Sequence, residues 1–372
     1  MRPDIVIVGA GMVGAAIAYG LALRGERVLV LDGSDGDFRA ARANFGLVWL
    51  QGKGLGLPAY QTLTRRSIDG WRGFADELEA MSETELCYEQ NGGLAFCLGD
   101  EAFEKRQVTL LRLHNQWGGG EPDWEMVDRP ALQRLLPKVT LGAEVVGASF
   151  GRRDGHANPL RLLAALQAGV TRLGGAVRND AAVHGISAVG GDFHLLVGDE
   201  TIVAPRVVIA AGLGTAELAR QVGLDVPIKP ERGQILVTER LEPVLPLPAS
   251  GLRQTADGTV MIGATKEDTG FDVSTTGDAA SRLSRTAVRI VPALAQARLV
   301  RQWAGLRIMT PDSYPIYAQS ESHPGAFAAV CHSGVTLAAF HAGDLAAAIA
   351  AGALPDDLSP FHMSRFDVPQ AA

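Results

Sequence analysis

The chain opens with an apolar run, a glycine-rich turn and a second apolar run. Ile5–Val8 is continuously apolar, which is typical of a strand buried on both faces in a parallel sheet. After the turn at 9–14, apolar side chains recur at helical spacing until Gly25, and Val28–Leu31 then leads into Asp32. The pattern predicts a strand–turn–helix–strand unit that ends on an acidic residue.

Continuous apolar runs and apolar residues at helical spacing both recur along the rest of the chain. Helical spacing predicts helices near 61–80, 101–117, 159–173, 279–290 and 335–350. Short apolar runs predict strands near 182–183, 193–197, 201–203, 207–212 and 326–330. Asn158 suits the N-cap of the third helix, and Pro159 suits its first position. The alternation of predicted strands and helices indicates an α/β protein with two interleaved domains, one doubly wound and one largely antiparallel.

Each glycine of the first turn, G-x-G-x-x-G at 9–14, has a physical reason. Gly9 permits the tight turn, Gly11 lets a pyrophosphate approach the backbone, and Gly14 lets the helix pack closely on the strand. The N-terminus of the helix offers free N–H groups and the positive end of a dipole to phosphates. Asp32 lies where a carboxylate binds the hydroxyls of an adenosine ribose. We therefore expect a dinucleotide here rather than a glycine-rich turn without a ligand.

The composition is that of an ordinary globular protein. The 372 residues are 47% hydrophobic and 20% charged, which suits two domains or one large discontinuous domain. The formal net charge of −7, without any run rich in lysine and arginine, argues against nucleic acid as a partner. Cys87, Cys97 and Cys331 are far apart in the sequence, so they predict neither a disulfide framework nor a metal site.

Two features of the sequence bear on its location. The N-terminus leads directly into the first strand, so we expect no signal peptide. No apolar run reaches the length of about 18 residues that a membrane span needs, so we expect no transmembrane segment. Together with the cysteine usage, this predicts a cytoplasmic protein, and peripheral contact with a membrane stays open.

Several stretches together resemble one family. The N-terminal IVIVGAGMVG is similar to the FAD-binding start of the D-amino-acid oxidase family, which includes glycine oxidase, sarcosine oxidase and D-amino-acid dehydrogenases. Later stretches match the family in order, almost to the end of the chain: DGHANP at 154–159, VIAAG at 208–212, PERGQ at 230–234, WAGLR at 303–307 and HSGVTL at 332–337. Within the family, NFGLVW at 44–49 and QGKG at 51–54 look most like the β-type subunits of opine and hydroxyproline dehydrogenases and of hydrogen cyanide synthase.

The resemblance implies a fold, a cofactor and partners. A Rossmann-like FAD-binding domain would be interleaved with a mainly antiparallel α+β substrate-binding domain. The first would comprise 1–85, 150–225 and 300–372, and the second 86–149 and 226–299. FAD would be held without a covalent bond, because no cysteine lies near Gly305, where sarcosine oxidases attach it, and Cys331 is the one candidate close by. Partner subunits of a hetero-oligomeric dehydrogenase are also implied.

Four residues are candidates for contact with the substrate. Arg307 matches the position at which glycine and D-amino-acid oxidases hold the substrate carboxylate with a guanidinium fork, although an ion pair with Asp312 is an alternative. His332 stands where glycine oxidase carries an arginine; it could orient the substrate or accept a proton, or bond to backbone in a tight loop. Trp49 is either a pocket wall or a core residue. Lys53 is either an oxygen-activating cation or a loop lysine in a salt bridge.

The other candidates bind the cofactor, as the resemblance implies. They come from the first turn, the ends of the cofactor strands, the loop at 44–48 and the last flavin loop. They are Gly9, Gly11, Met12, Val13, Gly14, Asp32, Gly33, Asn44, Phe45, Gly46, Val48, Val183, Ala211, Gly212, Arg307, Ser333, Gly334, Val335, Thr336 and Leu337. The N–H groups at 334–337 would begin the last helix and face the flavin pyrimidine ring, with an ordinary turn as the alternative.

The resemblance also implies a reaction. We expect FAD-dependent oxidation of the Cα–N bond of an amino acid or secondary amino acid: an opine, a D-amino acid, hydroxyproline or glycine. Hydride would pass to flavin N5, and the imine product would hydrolyse in water. One alternative is an NAD-dependent dehydrogenase with the same dinucleotide fold. Another is a non-catalytic flavin subunit that relays electrons or scaffolds a complex.

Overall fold

The computed structural model describes residues 2–33 and 40–367. Its strands are β1 (Ile5–Val8), β2 (Val28–Leu31), β3 (Leu47–Val48), β4 (Gly93–Leu98), β5 (Trp124–Asp128), β6 (Val145–Gly151), β7 (Gly155–His156), β8 (Ala176–Arg178), β9 (Val183–Val189), β10 (Asp192–Val197), β11 (Glu200–Ala204), β12 (Val207–Ile209), β13 (Lys229–Arg240), β14 (Leu252–Gln254), β15 (Thr259–Gly263), β16 (Leu299–Met309), β17 (Ile316–Gln319) and β18 (Ala326–Val330). Its helices are α1 (Met12–Leu23), α2 (Pro58–Ser82), α3 (Asp100–Trp117), α4 (Arg129–Leu135), α5 (Pro159–Arg172), α6 (Thr215–Arg220), α7 (Gly277–Ile290), α8 (Ala338–Phe340) and α9 (Ala346–Ala351).

β1 is central in a six-stranded sheet of order β17-β18-β12-β1-β2-β8. All neighbouring pairs are parallel except β17 with β18. Ile5 and Ile7 pack into one apolar cluster with α1 and α5, while Val6 and Val8 pack into another with α6 and the β9–β11 sheet. Both faces of β1 are therefore buried, which explains its unbroken apolar sequence. The predicted doubly wound α/β domain is confirmed.

The turn between β1 and α1 is closed at two glycines. Gly9 has a φ of +107°, and a Cβ there would lie 2.4 Å from the carbonyl oxygen of Ala210. A Cβ on Gly14 would lie 2.0 Å from the carbonyl oxygen of Gly9. Gly11 differs, because a Cβ there would meet nothing within 4 Å. Two glycines thus serve close packing, and the third leaves open space at the N-terminus of α1.

The rest of the chain is largely antiparallel. β13 pairs with β15 and β16, β14 pairs with β15, and β6 pairs with β4 and β5. Leu94, Leu236 and Val260 belong to a separate apolar core in this part. β16 pairs with β13 throughout, so it lies in the antiparallel sheet, whereas the expected boundary at residue 300 assigned it to the FAD-binding domain. The domain boundaries as a whole stay a prediction.

Helices occur where helical spacing predicts them, with shifted ends. The segment predicted at 61–80 is α2, which is longer at its N-terminus. Asn158 caps α5 as predicted, because its Oδ1 accepts hydrogen bonds from the N–H groups of Leu160 and Arg161. No helix among the described residues is long and apolar enough to span a membrane.

The last helix begins later than predicted. The N–H of Leu337 donates to the carbonyl oxygen of Ser333, which closes a turn, and α8 begins only at Ala338. A π-helical turn, His341–Leu345, then joins α8 to α9. The N–H of Ala338 donates to the carbonyl oxygen of Val335, three residues back, so regular α-helical bonding starts only after this turn. The prediction of a helix from 335 is therefore wrong at its start.

Gly20 is the place where α1 contacts the π-helical turn. A Cβ there would lie 2.0 Å from the carbonyl oxygen of Ala342. We predict that Gly20→Ala lowers the free energy of unfolding by about 1–3 kcal/mol, the usual cost of overpacking a core, as measured by denaturant unfolding. Gly73→Ala in α2 is the matched control: a Cβ there meets nothing within 4 Å, so helix propensity should add roughly 0.5–1 kcal/mol. Equal stability of the two variants would contradict this packing.

Candidate active site

A cavity of about 660 Å³ lies at the carboxyl ends of β1, β2 and β12. Val8, Leu31 and Ala210, at or just after the ends of these strands, form part of its wall. Ligands of open α/β sheets bind at this edge. The volume falls within the roughly 300–1,000 Å³ that is typical of ligand and cofactor sites.

The residues in this cavity fit an adenine dinucleotide. Gly11, Met12 and Val13 line it at the N-terminus of α1, where the first N–H groups of a helix have no intrahelical partner. The open space over Gly11 is what a phosphate needs in order to approach those N–H groups. Asp32 follows β2 on the same cavity wall, and its Oδ1 accepts a hydrogen bond from the N–H of Gly33. These elements together can hold a pyrophosphate and a ribose.

The structure brings the predicted residues together from separate segments of the chain. Those on the cavity wall are Gly9, Gly11, Met12, Val13, Asp32, Gly33, Asn44, Phe45, Val183, Ala211, Gly212, Arg307, His332 and Gly334. The other predicted residues are not part of this wall: Gly14, Gly46, Val48, Trp49, Lys53, Ser333, Val335, Thr336 and Leu337.

Thr336 ties the loop at 331–337 to β3. Its Oγ1 accepts a hydrogen bond from the N–H of Trp49 at 3.2 Å and donates to the carbonyl oxygen of Leu47 at 3.1 Å. Trp49 is only 8% exposed, and a Cβ on Gly93 would lie 2.4 Å from its ring. Its position therefore fits the core alternative better than a pocket wall.

The loop at 331–337 presents backbone donors to the cavity. The N–H groups of Gly334, Val335 and Thr336 make no backbone hydrogen bond within the described residues, whereas that of Leu337 is used in the turn. Gly334 sits close to α1, since a Cβ there would lie 3.2 Å from the Cβ of Met12. Of the three N–H groups without a backbone partner, that of Gly334 belongs to a residue on the cavity wall.

Arg307 lies on β16, and its guanidinium crosses β13. It donates to Glu231 Oε1 at 2.8 Å and to a backbone carbonyl oxygen at 2.9 Å. Gly233 makes room for it, because a Cβ there would lie 2.6 Å from Nη2. The carboxylate considered from the sequence, Asp312, pairs instead with Arg365. Arg307 thus has a carboxylate partner but also reaches the cavity wall.

Ser333 is the centre of a buried polar cluster beside the cavity. Lys53 Nζ donates to its Oγ at 2.7 Å, and the Tyr60 O–H donates to the same oxygen at 3.1 Å. His332 Nε2 lies 3.3 Å from this Oγ. Lys53 forms no salt bridge with any residue in the described ranges, so the salt-bridge alternative does not apply there.

Burial and positive charge keep His332 neutral. Burial lowers the pKa of its imidazole to about 3, and the cations Lys53, Arg307 and Lys266 add to this effect. Burial also lowers the pKa of Lys53 to about 8. At physiological pH the cluster therefore combines a neutral imidazole with a lysine close to its titration point.

Asp154 holds the chain next to Lys53. Its Oδ1 accepts hydrogen bonds from the N–H groups of Leu50 at 2.5 Å and Gln51 at 3.3 Å. Its Oδ2 is buried without a hydrogen-bond partner among the described residues. Burial raises the pKa of this carboxyl to about 7. A second group that titrates near neutral pH thus lies beside the site.

Two wall residues that sequence reasoning missed have a recognisable signal. Gly233 and Gly305 are register partners in the β13–β16 pair. A Cβ on Gly305 would lie 2.2 Å from the Cβ of Ala43. An isolated glycine within a strand often marks such a close approach, so the spacing of these two glycines could have indicated the site.

Phe271 is a wall residue without a sequence signal. It lies in a polar segment after β15 that shows no periodicity. Arg232 holds this segment in place through ion pairs of its guanidinium with Glu267 and Asp272. These contacts join residues 35 and 40 positions apart, which no local pattern indicates.

The sequence pattern of the family described as "DAO: FAD dependent oxidoreductase" matches residues 4–349. The chain belongs to this family. It is 43% identical over 369 residues to one of the subunits of opine oxidase from Agrobacterium tumefaciens (strain Ach5), with 99% of each chain covered. Glycine oxidase from Geobacillus kaustophilus has a similar structure, with a TM-score of 0.88, 26% identity and coverage of 98% of this chain and 99% of that one. Iminodiacetate oxidase from Chelativorans sp. BNC1 has a TM-score of 0.82, 25% identity and coverage of 96% and 98%.

Membership of the DAO family confirms the resemblance seen in the sequence. The chain is an FAD-dependent oxidoreductase, which decides against the nicotinamide alternative. The similarity to the opine oxidase subunit agrees with the expected likeness of 44–49 and 51–54 to β-type subunits. The roles of individual residues in this DAO-family site stay predictions.

Gly11→Ala is predicted to weaken FAD binding without unfolding the protein. The added Cβ meets no protein atom within 4 Å but occupies the space where a phosphate approaches α1. We expect the Kd for FAD to rise by about tenfold or more, because a hydrogen bond to a charged group contributes about 1.5–3 kcal/mol. Quenching of flavin fluorescence on titration of the apoprotein measures this Kd.

Gly277→Ala in α7 is the control for that measurement. A Cβ there also meets nothing within 4 Å, and the residue is not on the cavity wall. Its Kd for FAD should equal that of the wild type. A wild-type Kd in Gly11→Ala would show that phosphates do not bind over this glycine.

Asp154→Asn is predicted to remove a pH dependence of stability. A carboxyl whose pKa is raised on folding stabilises the folded state below its ordinary pKa of 3.8, and this contribution is lost as the pH rises through about 7. In the wild type, ionisation of this group should lower the free energy of unfolding by on the order of 4 kcal/mol as the pH rises from 3.8 to about 7. The asparagine Oδ1 can still accept from Leu50 and Gln51, so the variant should not show this loss. Denaturant unfolding at several pH values, with FAD in excess, measures it, and an identical pH slope in both proteins would count against a buried neutral carboxyl.

Proposed function

We propose that this protein oxidises the Cα–N bond of a secondary amino acid that carries two carboxylates, as opines do. Bound FAD supplies the hydride acceptor, its N5 atom. The imine formed from the substrate then hydrolyses in water to a 2-oxo acid and an amino acid. The names of two relatives support this substrate class, opine oxidase and iminodiacetate oxidase, and iminodiacetate is itself a secondary amine between two carboxylates.

The observation that carries the proposal is the positive charge around His332. Lys53, Arg307 and Lys266 are all close enough to lower its pKa. Glu231 pairs with Arg307, and neither lysine has an ion-pair partner within the ranges that the structure describes. The surroundings of His332 thus carry a local surplus of cations, and such a surplus attracts anionic ligands. A substrate with two carboxylates suits this surplus better than glycine does.

Arg307 is the proposed anchor for one carboxylate. A guanidinium has five N–H donors, and two hydrogen bonds, to Glu231 and to a backbone carbonyl, are formed within the protein. Donors therefore remain for a carboxylate in the cavity. His332 lines the same cavity with a neutral ring and is the proposed partner of the substrate nitrogen.

The loop at 331–337 is the proposed contact for the flavin pyrimidine ring. The N–H groups of Gly334, Val335 and Thr336, which make no backbone hydrogen bond within the described residues, would stabilise negative charge there. FAD is proposed to be non-covalent, because burial raises the pKa of the wall residue Cys331 to about 12 and keeps it a thiol.

We also propose that electrons pass to a partner subunit. The opine oxidase relative, at 43% identity, is named as one subunit of its enzyme. A subunit that only relays electrons has no need of Arg307 or of the cations near His332, so the site favours the catalytic function. The expected cytoplasmic location stays a prediction.

Anaerobic titration of the FAD-loaded chain tests the substrate class. The panel comprises N-carboxyalkyl amino acids, iminodiacetate, D-amino acids, hydroxyproline and glycine. We expect dicarboxylic secondary amines to bleach the visible absorbance of the flavin at lower concentrations than the others. Bleaching by monocarboxylates alone would contradict the class, and a yellow protein that no compound bleaches would favour the non-catalytic subunit.

Arg307→Ala should weaken substrate binding in that titration and retain FAD. Loss of hydrogen bonds to a carboxylate, at about 1.5–3 kcal/mol, should raise the apparent Kd of the substrate roughly 10- to 150-fold. Arg298→Ala is the control, because Arg298 is exposed and pairs with Glu239 just before β16. If both variants titrate like the wild type, Arg307 does not anchor the substrate.

A further inference from the structure

The polar cluster at Ser333 links two cavities. His332 lines the main cavity, while Lys53 and Asp154 line a second cavity of about 20 Å³. Ser333 Oγ lies between them, 2.7 Å from Lys53 Nζ and 3.3 Å from His332 Nε2. The Tyr60 O–H donates to the same oxygen at 3.1 Å. One hydroxyl group thus contacts three polar groups.

The chemistry of this hydroxyl limits its hydrogen bonds. A serine Oγ has one hydrogen to donate and two lone pairs to accept. Burial raises the pKa of Tyr60 well above its ordinary value, so its O–H stays protonated, and Ser333 is its acceptor. One lone pair is therefore occupied. The other lone pair and the hydrogen are divided between Lys53 and His332.

A charged Lys53 permits only one arrangement. An ammonium group has donors and no acceptor, so it takes the second lone pair of Ser333 Oγ. The hydrogen of Ser333 then points to His332 Nε2, which must accept it. A neutral imidazole carries one proton, so that proton lies on Nδ1. His332 is then a hydrogen-bond donor towards a ligand.

A neutral Lys53 also permits the reverse arrangement, because an amine group has one lone pair as well as two N–H donors. Its amine nitrogen accepts the hydrogen of Ser333, and the freed lone pair accepts a hydrogen bond from His332 Nε2–H. His332 Nδ1 then becomes an acceptor. Nδ1 makes no hydrogen bond within the described residues, and its ring lines the main cavity, so a ligand would meet this change directly.

We propose that Lys53 sets the tautomer of His332 through Ser333, and that neutral Lys53 receives the proton that the substrate ammonium loses before hydride transfer. The inference rests on the proposed function, since it requires an amine substrate in the main cavity. Lys53 is a positioning residue, because it acts on the substrate through two others.

The proposed proton transfer runs from the substrate through His332 and Ser333 to Lys53, and we call this path the relay. It needs no oxidant and no further reactant. The substrate ammonium gives a proton to His332 Nδ1, His332 Nε2 gives its proton to Ser333 Oγ, and Ser333 gives its hydrogen to Lys53 Nζ. The net products are a neutral substrate amine and a Lys53 ammonium. Lys53 then releases its proton through the second cavity, which at about 20 Å³ admits one water.

The groups around the relay hold Lys53 near its titration point. Burial, with Lys266 nearby, lowers the pKa of Lys53 to about 8, while the Asp154 carboxylate opposes this shift. His332 is kept neutral by burial and by the surrounding cations. Both states of Lys53 are therefore accessible near neutral pH.

NMR of the FAD-loaded chain with isotope-labelled histidine reads the tautomer without turnover. Long-range proton–nitrogen correlations distinguish a protonated Nδ1 from a protonated Nε2, and His332→Asn identifies the signal among the 8 histidines. We expect His332 to change from the Nδ1-protonated to the Nε2-protonated form as the pH rises through about 8. A tautomer that stays the same across that pH would overturn the proposal.

Two variants distinguish the effect of Lys53 protonation from the effect of the side chain's position. Lys53→Arg keeps a cation that does not deprotonate, so His332 should stay protonated on Nδ1 at every pH. Lys53→Met should abolish the change near pH 8. Lys266→Met is the matched control: it removes a nearby cation but no hydrogen bond of the relay, so the change should persist at a slightly higher pH. A change that persists in Lys53→Arg would also overturn the proposal.

The rate of anaerobic flavin reduction tests the substrate end of the relay. In the wild type this rate should rise with pH through about 8, as Lys53 becomes neutral. Lys53→Met should be slower by about a hundredfold at neutral pH, the typical loss for a positioned base, and should recover at high pH, where the substrate amine is itself neutral. A rate reduced equally at every pH would indicate a structural role and overturn the relay. A tautomer change without bleaching by any amine would instead mean that the proposed function fails.

Discussion

The site depends on the contact between two backbone turns, at Gly9 and Ala210. No side chain fits between them, since a Cβ on Gly9 would lie 2.4 Å from the Ala210 carbonyl oxygen. The contact brings the carboxyl ends of β1 and β12 to one edge and leaves the N-terminus of α1 facing the cavity. Because β18 pairs with β12 on its other side, the loop at 331–337 reaches the same edge. One sheet thus positions both the phosphate end and the proposed flavin loop.

The antiparallel sheet supplies a positive charge to the cavity at this edge of the parallel sheet. β16 carries Arg307 to the cavity, and Gly233 on β13 lets the guanidinium lie across the neighbouring strand. Glu231 holds the guanidinium without removing all of its donors. The two sheets therefore have different tasks: the parallel sheet presents backbone N–H groups, and the antiparallel sheet presents a cation. A site that holds both a flavin and an anionic substrate needs the N–H groups and the cation.

Local patterns predicted the parts of the fold that local forces decide. The β1–α1–β2 unit follows from apolar periodicity and glycines within about 30 residues, and the N-cap at Asn158 follows from adjacent residues. Pairings between distant residues were not predictable in this way. Arg307 meets Glu231, 76 positions away, through a strand register that no local pattern specifies. Lys53 meets Ser333, 280 positions away, where a salt bridge was the expected alternative.

Analysis of the products of a single turnover tests the central claim most directly. The FAD-loaded chain is mixed with an N-carboxyalkyl amino acid in the absence of oxygen, and the products are quantified against the flavin reduced. We predict one 2-oxo acid and one amino acid for each flavin, because the Cα–N bond is oxidised and the imine hydrolyses. Reduced flavin without a 2-oxo acid, or a product that keeps the Cα–N bond, would contradict oxidation at this bond.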